Sequence, residues 1–528
     1  MARPYDDARE RQVTTMRRAA VYNRFWHSMG GGERHSGKIA EVLAADGWEV
    51  DLVGHTDVGR DNLADHLGLD LSGTRLRVVP DKGDAALAEL SEEYDLFVNA
   101  TFMSRLAPRA KRNVYLCYFP TPFDYDVERW RQLALRHVAP RIARGLPDNL
   151  THGIGWYPPE GGLRRSWVWS QGDGVVVIPK GRRKKLTMLL GRPGGEPVSL
   201  TLTDGEGTEL ARVTVTPDFR KHTFDLGPGT EGLELHFVSD TFTPAVNDNR
   251  ELGVAVSRLR FVDGEGGWRW YVVHRLPWLM LDPTDLSFLQ AYDEVLANSE
   301  YTRGWIRKLW ERDAAVLFPP IRINDLEPSA TRTKTIVTVG RFFRPGLGHA
   351  KRQLEMVTMF GDMYRAGGLD GWTMHVVGGC EPFQVPYLEQ VRAAAHGLPV
   401  ELHPNAPRSL VERLLDEASV FWSATGFGEN ESKAPWAMEH FGMTTVEAMA
   451  GGCVPIVIDR AGQREIVRHD VDGFRWSTPA ELASYTRQVA ADEALRARLA
   501  GSAVQRAKTF SEDAFAARWR EIAADLGL

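Results

Sequence analysis

The sequence predicts an α/β protein built from two Rossmann-like domains facing each other across a cleft, with an all-β sandwich inserted in the first. Three observations carry this. Short apolar runs alternate with helix-period segments at both ends of the chain, which is the pattern of parallel sheets covered by helices. The middle shows only short alternating runs between glycine- and proline-rich turns. The α/β alternation then resumes before a second complete set begins. A chain of 528 residues with 43% hydrophobic and 25% charged content has the size of two or three folded domains.

The first set opens with an apolar strand at Ala19 to Tyr22, a glycine turn at Gly30, Gly31 and Gly32, and a helix carrying Ile39, Val42 and Leu43 on one face. Strands follow at Glu49 to Val53, Leu96 to Asn99 and Val114 to Tyr118. From Gly153 to about Trp268 the runs Val198 to Leu202, Ala211 to Val215, Leu233 to Phe237 and Gly253 to Phe261 alternate between turn clusters, as a sandwich requires. Then come a helix at Leu286 to Tyr292, a strand at Val295 to Asn298, a helix at Thr302 to Trp310 and a strand at Ala315 to Phe318.

The second set has strands at Ile336 to Val339, Met374 to Val377, Val420 to Trp422 and Val454 to Ile458. Its first helix places Leu354, Val357, Phe360 and Tyr364 on one face and ends at Gly367 and Gly368. A later helix opens at Thr478 with Pro479 and Glu481, a capping box with proline at the first helical position. The domain boundaries read from this are 1–150 with 269–325, 151–268, 326–510, and a C-terminal helix at 511–528 packing back on the first domain.

Composition excludes several classes. A net charge of −6 lacks the basic excess that nonspecific nucleic-acid binding needs. Cys117, Cys380 and Cys453 lie far apart with no C-x-x-C, so neither a disulfide framework nor a thiolate cage is expected, and a reducing cytoplasmic setting is. The charged N-terminus has no apolar core behind it, and no segment has the eighteen or so apolar residues of a membrane span, so neither a signal peptide nor a transmembrane helix is expected. The 15 histidines show no H-E-x-x-H or other ligand spacing, and no metal is predicted.

The segment Glu439 to Pro455, EHFGMTTVEAMAGGCVP, joins a loop carboxylate, a glycine turn and a helix start. Thr444 followed by Glu447 is also a capping-box pattern, so helix cap and ligand-binding carboxylate are both open readings of Glu447. In the second reading, backbone N–H groups of Gly442 to Thr445 at a helix N-terminus favour an anionic diphosphate. The flanking carboxylates then accept hydrogen bonds from sugar and ribose hydroxyls.

This segment resembles the E-x7-E signature of family 4 glycosyltransferases, retaining enzymes of the GT-B fold. GRFFRPGLGHAKRQLEM, from Gly340 to Met356, is similar to the family's G-R-F…K-x-Q segment. The resemblance implies that Arg341 and Lys351 contact the donor diphosphate and that Glu439 binds hydroxyls of the transferred sugar. It implies further that Phe441, Gly442, Met443 and Thr444 hold sugar and phosphate through the backbone, and that Glu447 binds the ribose. HPNAPRSLVERL occupies the family position bordering the nucleobase, making Asn405 and Ala406 candidates, with an ordinary strand-to-helix loop as the equal alternative.

In the first domain, MGGGER resembles the family's glycine-rich loop, where Gly31 and Gly32 let backbone approach donor phosphates. YLCYFPTPFD resembles a stretch near the acceptor that often carries a histidine two residues before the proline; Tyr118 stands there instead. Tyr118 and Arg34 are the acceptor-side candidates. With NSEYTRGWIRKLW and VLFPPI closing it, the first domain looks most like the α-1,2-mannosyltransferases that extend lipid-linked oligosaccharides and their bacterial relatives.

The function expected is retaining transfer of a hexose-type sugar from a nucleoside-diphosphate sugar to a glycan or lipid-linked glycan in cell-surface polysaccharide assembly. The nucleotide sugar is the co-substrate, and no cofactor or metal is expected. Phosphorylase-like transfer, or a carbohydrate-binding protein on an inactive scaffold with the sandwich as its working part, are the alternatives. The pairs Asp124/Asp126 and Asp470/Asp472 imitate a D-x-D metal motif but read as solvated acids among 70 acidic residues. The stretch Arg129 to Arg144, with Trp130, Leu133, Val138 and Ile142 interleaved, reads as a solvated helix face, as contact with the inner face of an anionic membrane, or as a grip on a phosphorylated acceptor. KGRRKK, from Lys180 to Lys185, reads as a charged hairpin turn. Trp156, Tyr157, Trp167 and Trp169 read as sugar-stacking aromatics of the sandwich, as its core packing, or as its contact with the first domain.

Overall fold

Successive residues of Arg18–Tyr22 are buried on both sides, with Ala19, Ala20 and Val21 fully inaccessible, as a central parallel strand covered by helices on both faces must be. The computed structural model describes residues 17–528, except 81–83, 126, 144–154, 158–159, 163–164, 178–184, 227–233, 244–249, 263–271, 273–275, 277–278, 280–281 and 346–349. Among these residues the first domain holds a seven-stranded parallel sheet. Its order is Ala315–Val316, Glu294–Ala297, Arg112–Cys117, Leu96–Asn99, Arg18–Tyr22, Glu49–Gly54, Thr74–Val78. The chain leaves at Cys117 and returns at Glu294, yet these strands are direct neighbours, in register from Glu294↔Val114 to Ala297↔Cys117. The insertion therefore leaves the sheet intact.

The second domain has a six-stranded parallel sheet ordered Val400–Pro404, Thr373–Gly378, Thr333–Val339, Ala418–Ser423, Val454–Ile458, Phe474–Trp476. In both sheets the first strand of the unit lies centrally, with the chain winding first to one side and then to the other. The crevice at that switch point, outside the strands' carboxyl ends, is where such sheets bind ligands. The two crevices face each other.

The last helix, Glu512–Asp525, crosses back to the first domain. Phe515, Trp519 and Ile522 pack with Ile39, Val42 and Leu43, Lys38 pairs with Glu512 at 3.2 Å, and Arg520 pairs with Asp46 at 2.8 Å. The inserted domain is a four-stranded and a five-stranded antiparallel sheet packed around Leu186, Met188, Leu200, Leu235, Phe237 and Val256. No helix among the described residues is long and apolar enough to cross a membrane.

Several local expectations change. Leu286 to Tyr292 is only a 3₁₀ turn, Ser287–Ala291: Asp285 Oδ1 accepts the Ser287 N–H at 2.9 Å and Arg312 takes up the Leu289 and Tyr292 carbonyls, so no α-helix propagates. Asp124 and Asp472 are buried rather than solvated. Asp124 accepts a two-pronged bond from Arg136 at 2.8 Å, and Asp472 accepts from Arg468 at 2.6 Å, the pairing a buried carboxylate requires. Asp126 lies outside the described residues, as do Arg144 and Lys180 to Arg183 with Lys184.

Three of the four sandwich aromatics are buried packing residues. Trp156, Tyr157 and Trp169 are 5%, 3% and 3% exposed, so their rings are spent inside the domain and present no stacking platform, while the partly buried Trp167 packs on Phe219. Helix Arg129–His137, by contrast, leaves Trp130 and Leu133 exposed.

Candidate active site

Two helix N-termini converge on the cleft. In the first domain Gly30 is the N-cap of helix Gly31–Ala45 and Glu33, at the third helical position, reaches back to the Gly30 N–H at 2.8 Å. Gly31 and Gly32 are therefore the opening residues of the helix and not a turn. In the second domain Gly442 is the N-cap of helix Met443–Ala450 with φ of 118°. That conformation and the 2.8 Å separating a would-be Cβ from the Gln463 Nε2 explain why glycine stands there. Thr445 N–H bonds the Gly442 carbonyl at 3.0 Å, and helix geometry leaves the Met443 and Thr444 amides without intrahelical acceptors.

Of the two readings of Glu447, the capping box with Thr444 is not formed. The helix starts two residues earlier than that pattern needs, which carries Glu447 past the first turn, and its carboxylate accepts from Arg408 Nη1 at 3.0 Å instead. Arg408 also donates to Glu412 at 2.8 Å; burial lowers its pKa, but the pairs with Glu447 and Glu412 outweigh that and raise it. On the loop before the helix, Glu439 Oε2 accepts from Lys351 Nζ at 2.5 Å and from Thr425 Oγ1 at 3.2 Å. Lys351 and Glu439 retain 24% and 15% side-chain exposure, so the pair faces the cleft.

These groups border one cavity of about 900 Å³, within the range of small-molecule sites. The second domain contributes Arg341, Lys351, Arg408, Glu439, Phe441 to Thr444 and Glu447; the first contributes Gly31, Gly32, Arg34 and Tyr118. Five cations, Arg322 among them, and the two helix N-termini set its potential, opposed by Glu439, Glu447 and Asp65. Arg341 lies over the Phe343 ring, 5.3 Å from its centroid. Phe441 is buried against Phe318 and Phe510, so its side chain builds the wall while its backbone borders the cavity.

The space over the glycines is filled by protein. A Cβ on Gly31 would meet Met443 Sδ at 2.8 Å, and one on Gly32 would meet the Tyr118 ring at 3.2 Å. The missing side chains admit Met443 from the opposite domain and Tyr118 from beneath. The Tyr118 hydroxyl donates to the Gly32 carbonyl at 2.7 Å, and burial holds its pKa well above the ordinary value, so it acts as a positioning group and is unsuited to accept a proton. Arg34 pairs with Glu512 and donates to the Leu67 and Pro320 carbonyls, tying the C-terminal helix to the cleft edge.

Asn405 and Ala406 stand outside the cavity lining. Asn405, with φ of 55°, clamps Cys380 through both backbone groups at 2.8 and 3.3 Å, and Ala406 packs against the domain's buried core, as Leu410 and Val411 do. Arg322, Arg408, Thr425 and Asn298 were not singled out from sequence. Arg322 and Asn298 sit at ends of first-domain elements and reach the cavity only because the chain folds back there. The arginine of HPNAPRSL was a legible signal, being the first helical residue after the Asn405 loop.

The domains also touch directly. Phe119 stacks on His440 with centroids 4.1 Å apart, and Glu465 accepts the backbone N–H groups of Glu300 and Tyr301 at 2.8 and 2.6 Å, capping the helix Glu300–Trp310 from the other domain. Burial outweighs these bonds and pushes the Glu465 carboxyl up to about 7.

Residues 326–506 match the model of the family described as Glycosyl transferases group 1. Among curated proteins, the chain is 28% identical over 215 residues to a GDP-Man:Man(3)GlcNAc(2)-PP-Dol alpha-1,2-mannosyltransferase of Dictyostelium discoideum, covering 37% of this chain and 40% of that protein. A Neurospora crassa protein of the same name is 27% identical over 264 residues, covering 43% and 44%. The chain thus spans less than half the length of the curated relatives it matches. Of solved structures, Anabaena HepE in complex with UDP aligns at a TM-score of 0.50 and 12% identity over 97% of this chain and 100% of that one. Sucrose-phosphate synthase of Thermosynechococcus elongatus aligns at 0.50 and 12% over 97% and 99%. A Rickettsia africae glycosyltransferase does so at 0.50 and 12% over 96% and 98%. The fold is GT-B.

Proposed function

From a group 1 glycosyl transferase domain at 326–506 within a GT-B fold, we propose that the chain transfers a hexose-type sugar from a nucleoside-diphosphate sugar, with retention, to a glycan or lipid-linked glycan. The observation that supports this reading most is the convergence of Glu439, Glu447, Arg341, Lys351 and the Met443 helix N-terminus on one cavity. Arg341, Lys351 and the Met443 and Thr444 amides hold the diphosphate. Sugar hydroxyls donate to Glu439, whose orientation is set by Lys351 and Thr425, and ribose hydroxyls donate to Glu447 beside Arg408.

In the transfer step the bond between the anomeric carbon and the diphosphate oxygen breaks, and the leaving diphosphate gains negative charge. Lys351, Arg341 and the helix N-terminus stabilise that charge in a site organised before reaction, the largest catalytic contribution in most enzymes. The acceptor hydroxyl forms the new bond from the face the leaving group vacates and gives its proton to a diphosphate oxygen. No metal takes part. Tyr118, with its hydroxyl committed to the Gly32 carbonyl, takes no proton.

The acceptor side and cellular setting are part of the same proposal: action in the cytoplasm, with the helix Arg129–His137 resting on an anionic membrane through Trp130 and Leu133, which are 44% and 55% exposed. Replacing both by serine is expected to abolish cosedimentation with vesicles containing anionic lipid while leaving donor binding intact; unchanged cosedimentation refutes the contact.

A thermal-shift screen against nucleoside diphosphates and their sugars tests the donor. A ligand present at about 100 times its Kd stabilises by about 2.7 kcal/mol. In Glu439→Gln the extra shift that a nucleotide sugar gives over its free nucleoside diphosphate should vanish, while the shift by the free nucleoside diphosphate persists. No response to any nucleotide overturns the reading. NMR of the product's anomeric configuration tests retention, and inversion refutes that part alone.

A further inference from the structure

The outer edge of the second sheet carries a cluster that the transfer reaction does not use. We propose that His375, His403 and Glu401 form a binding site for a divalent transition metal of the zinc class, separate from the donor cavity. His375 lies on strand Thr373–Gly378 and the other two on the neighbouring edge strand Val400–Pro404. The parallel register pairs His375 with Glu401 and Val377 with His403, which puts all four side chains on one face of the sheet. None of the three cluster residues borders the donor cavity.

The distances fit a metal. Nδ1 of His375 is 2.9 Å from Nε2 of His403, and Glu401 Oε2 lies 3.8 and 3.7 Å from those two nitrogens. The point equidistant from the three atoms is about 2.0 Å from each, which is the length of zinc bonds to imidazole nitrogen and carboxylate oxygen. Two imidazoles and a carboxylate are a donor set that zinc accepts, with a fourth position left for water.

Exposure is graded in the useful direction. The histidine side chains are 14% and 20% exposed and held by their strands, whereas Glu401 is 62% exposed and forms the solvent side through which an ion enters.

Without metal the two rings are nearly coplanar, 6° apart with centroids at 5.1 Å, so one facing nitrogen donates its proton to the other. Metal entry breaks this N–H···N bond. The donating ring moves its proton to its other nitrogen, both lone pairs turn to the ion, and the neutral pair releases no net proton. The edge strand runs directly into Asn405, whose side chain clamps Cys380, and Gly379 packs between Asn405 and Arg341. A bound ion therefore pins the strand that supports this side of the donor domain.

The test is calorimetric titration of the full chain with zinc after chelator treatment, with cobalt absorption as the reporter of tetrahedral nitrogen and oxygen ligation. The parent is expected to bind one zinc at this site, weakened about tenfold or more in Glu401→Gln and about a hundredfold in His403→Ala. Glu401→Gln changes an exposed side chain, so it should match the parent's metal-free melting temperature and keep the test valid if His403→Ala folds poorly. Zinc should raise the melting temperature of the parent more than that of Glu401→Gln. Zinc affinity and stoichiometry equal in parent and Glu401→Gln, or no parent binding tighter than about 1 mM, overturns the proposal.

Discussion

Gly442→Ala perturbs the turn on which the donor site is built, and its cost can be worked from the geometry. Residue 442 sits at φ 118°, where an alanine costs about 1–2 kcal/mol. Its Cβ would lie 2.8 Å from Gln463 Nε2 and 3.3 Å from Ile466 Cδ1. Gln463 is fully buried and donates through that nitrogen to Thr445 Oγ1 at 3.0 Å, so displacing it forfeits a buried hydrogen bond worth about 1 kcal/mol. Together the loss is about 2–3 kcal/mol, or roughly 5–10 °C in the transition of a domain this size. Because the Met443 and Thr444 amides move with the turn, kcat/KM should fall about 100-fold. Scanning calorimetry and initial rates measure the two effects. Adding Gln463→Ala should recover little, because the conformational strain stays and the amide is lost outright. A Gly442→Ala protein within about 0.5 kcal/mol of the parent, with undiminished kcat/KM, would refute the reasoning.

Two further outcomes follow from the carboxylates. Glu447→Gln should weaken donor binding about tenfold while changing stability by less than about 1 kcal/mol, since its partner is the half-exposed Arg408 and not the helix N-terminus; a stability loss with unchanged binding would instead restore the capping role. Glu465 gives a pH dependence. Its carboxyl, ordinarily at 4.5, is pushed up to about 7 by burial, so between those values the folded state binds more protons than the unfolded one. Stability is fully present below about 4.5 and is lost as pH rises through about 7, by up to roughly 3 kcal/mol. Glu465→Gln should flatten that slope in melting temperatures taken from pH 4.5 to 8, and parallel profiles would show that another group titrates.

Most strands were legible because a buried parallel strand must be apolar on both faces, and Ala19 to Tyr22 or Val454 to Ile458 has few other uses. The Thr478 helix start was legible because its cap is local: Thr478 and Glu481 exchange the bonds that the spacing requires. Thr444 and Glu447 have the same spacing but make no box, because the glycine conformation at 442 starts the helix two residues earlier. Burial was the less legible quantity. Asp124 and Asp472 resemble surface acids until Arg136 and Arg468 close over them, and Trp156 and Trp169 resemble exposed rings until Phe237 and Phe242 pack against them.

Local chemistry written along the chain thus determined the alternation of elements, the place of the insertion, and the carboxylates and cations around the glycine turn before Met443. These depend on neighbours within a few residues, which spacing records. The tertiary structure decided which of them meet. Lys351 reaches Glu439 and Arg408 reaches Glu447 across 88 and 39 residues. Met443 fills the space over Gly31 in the other domain, and His375 meets His403 only through the register of two parallel strands. Such contacts follow from strand order and from how two sheets face each other, and no spacing along the chain encodes those.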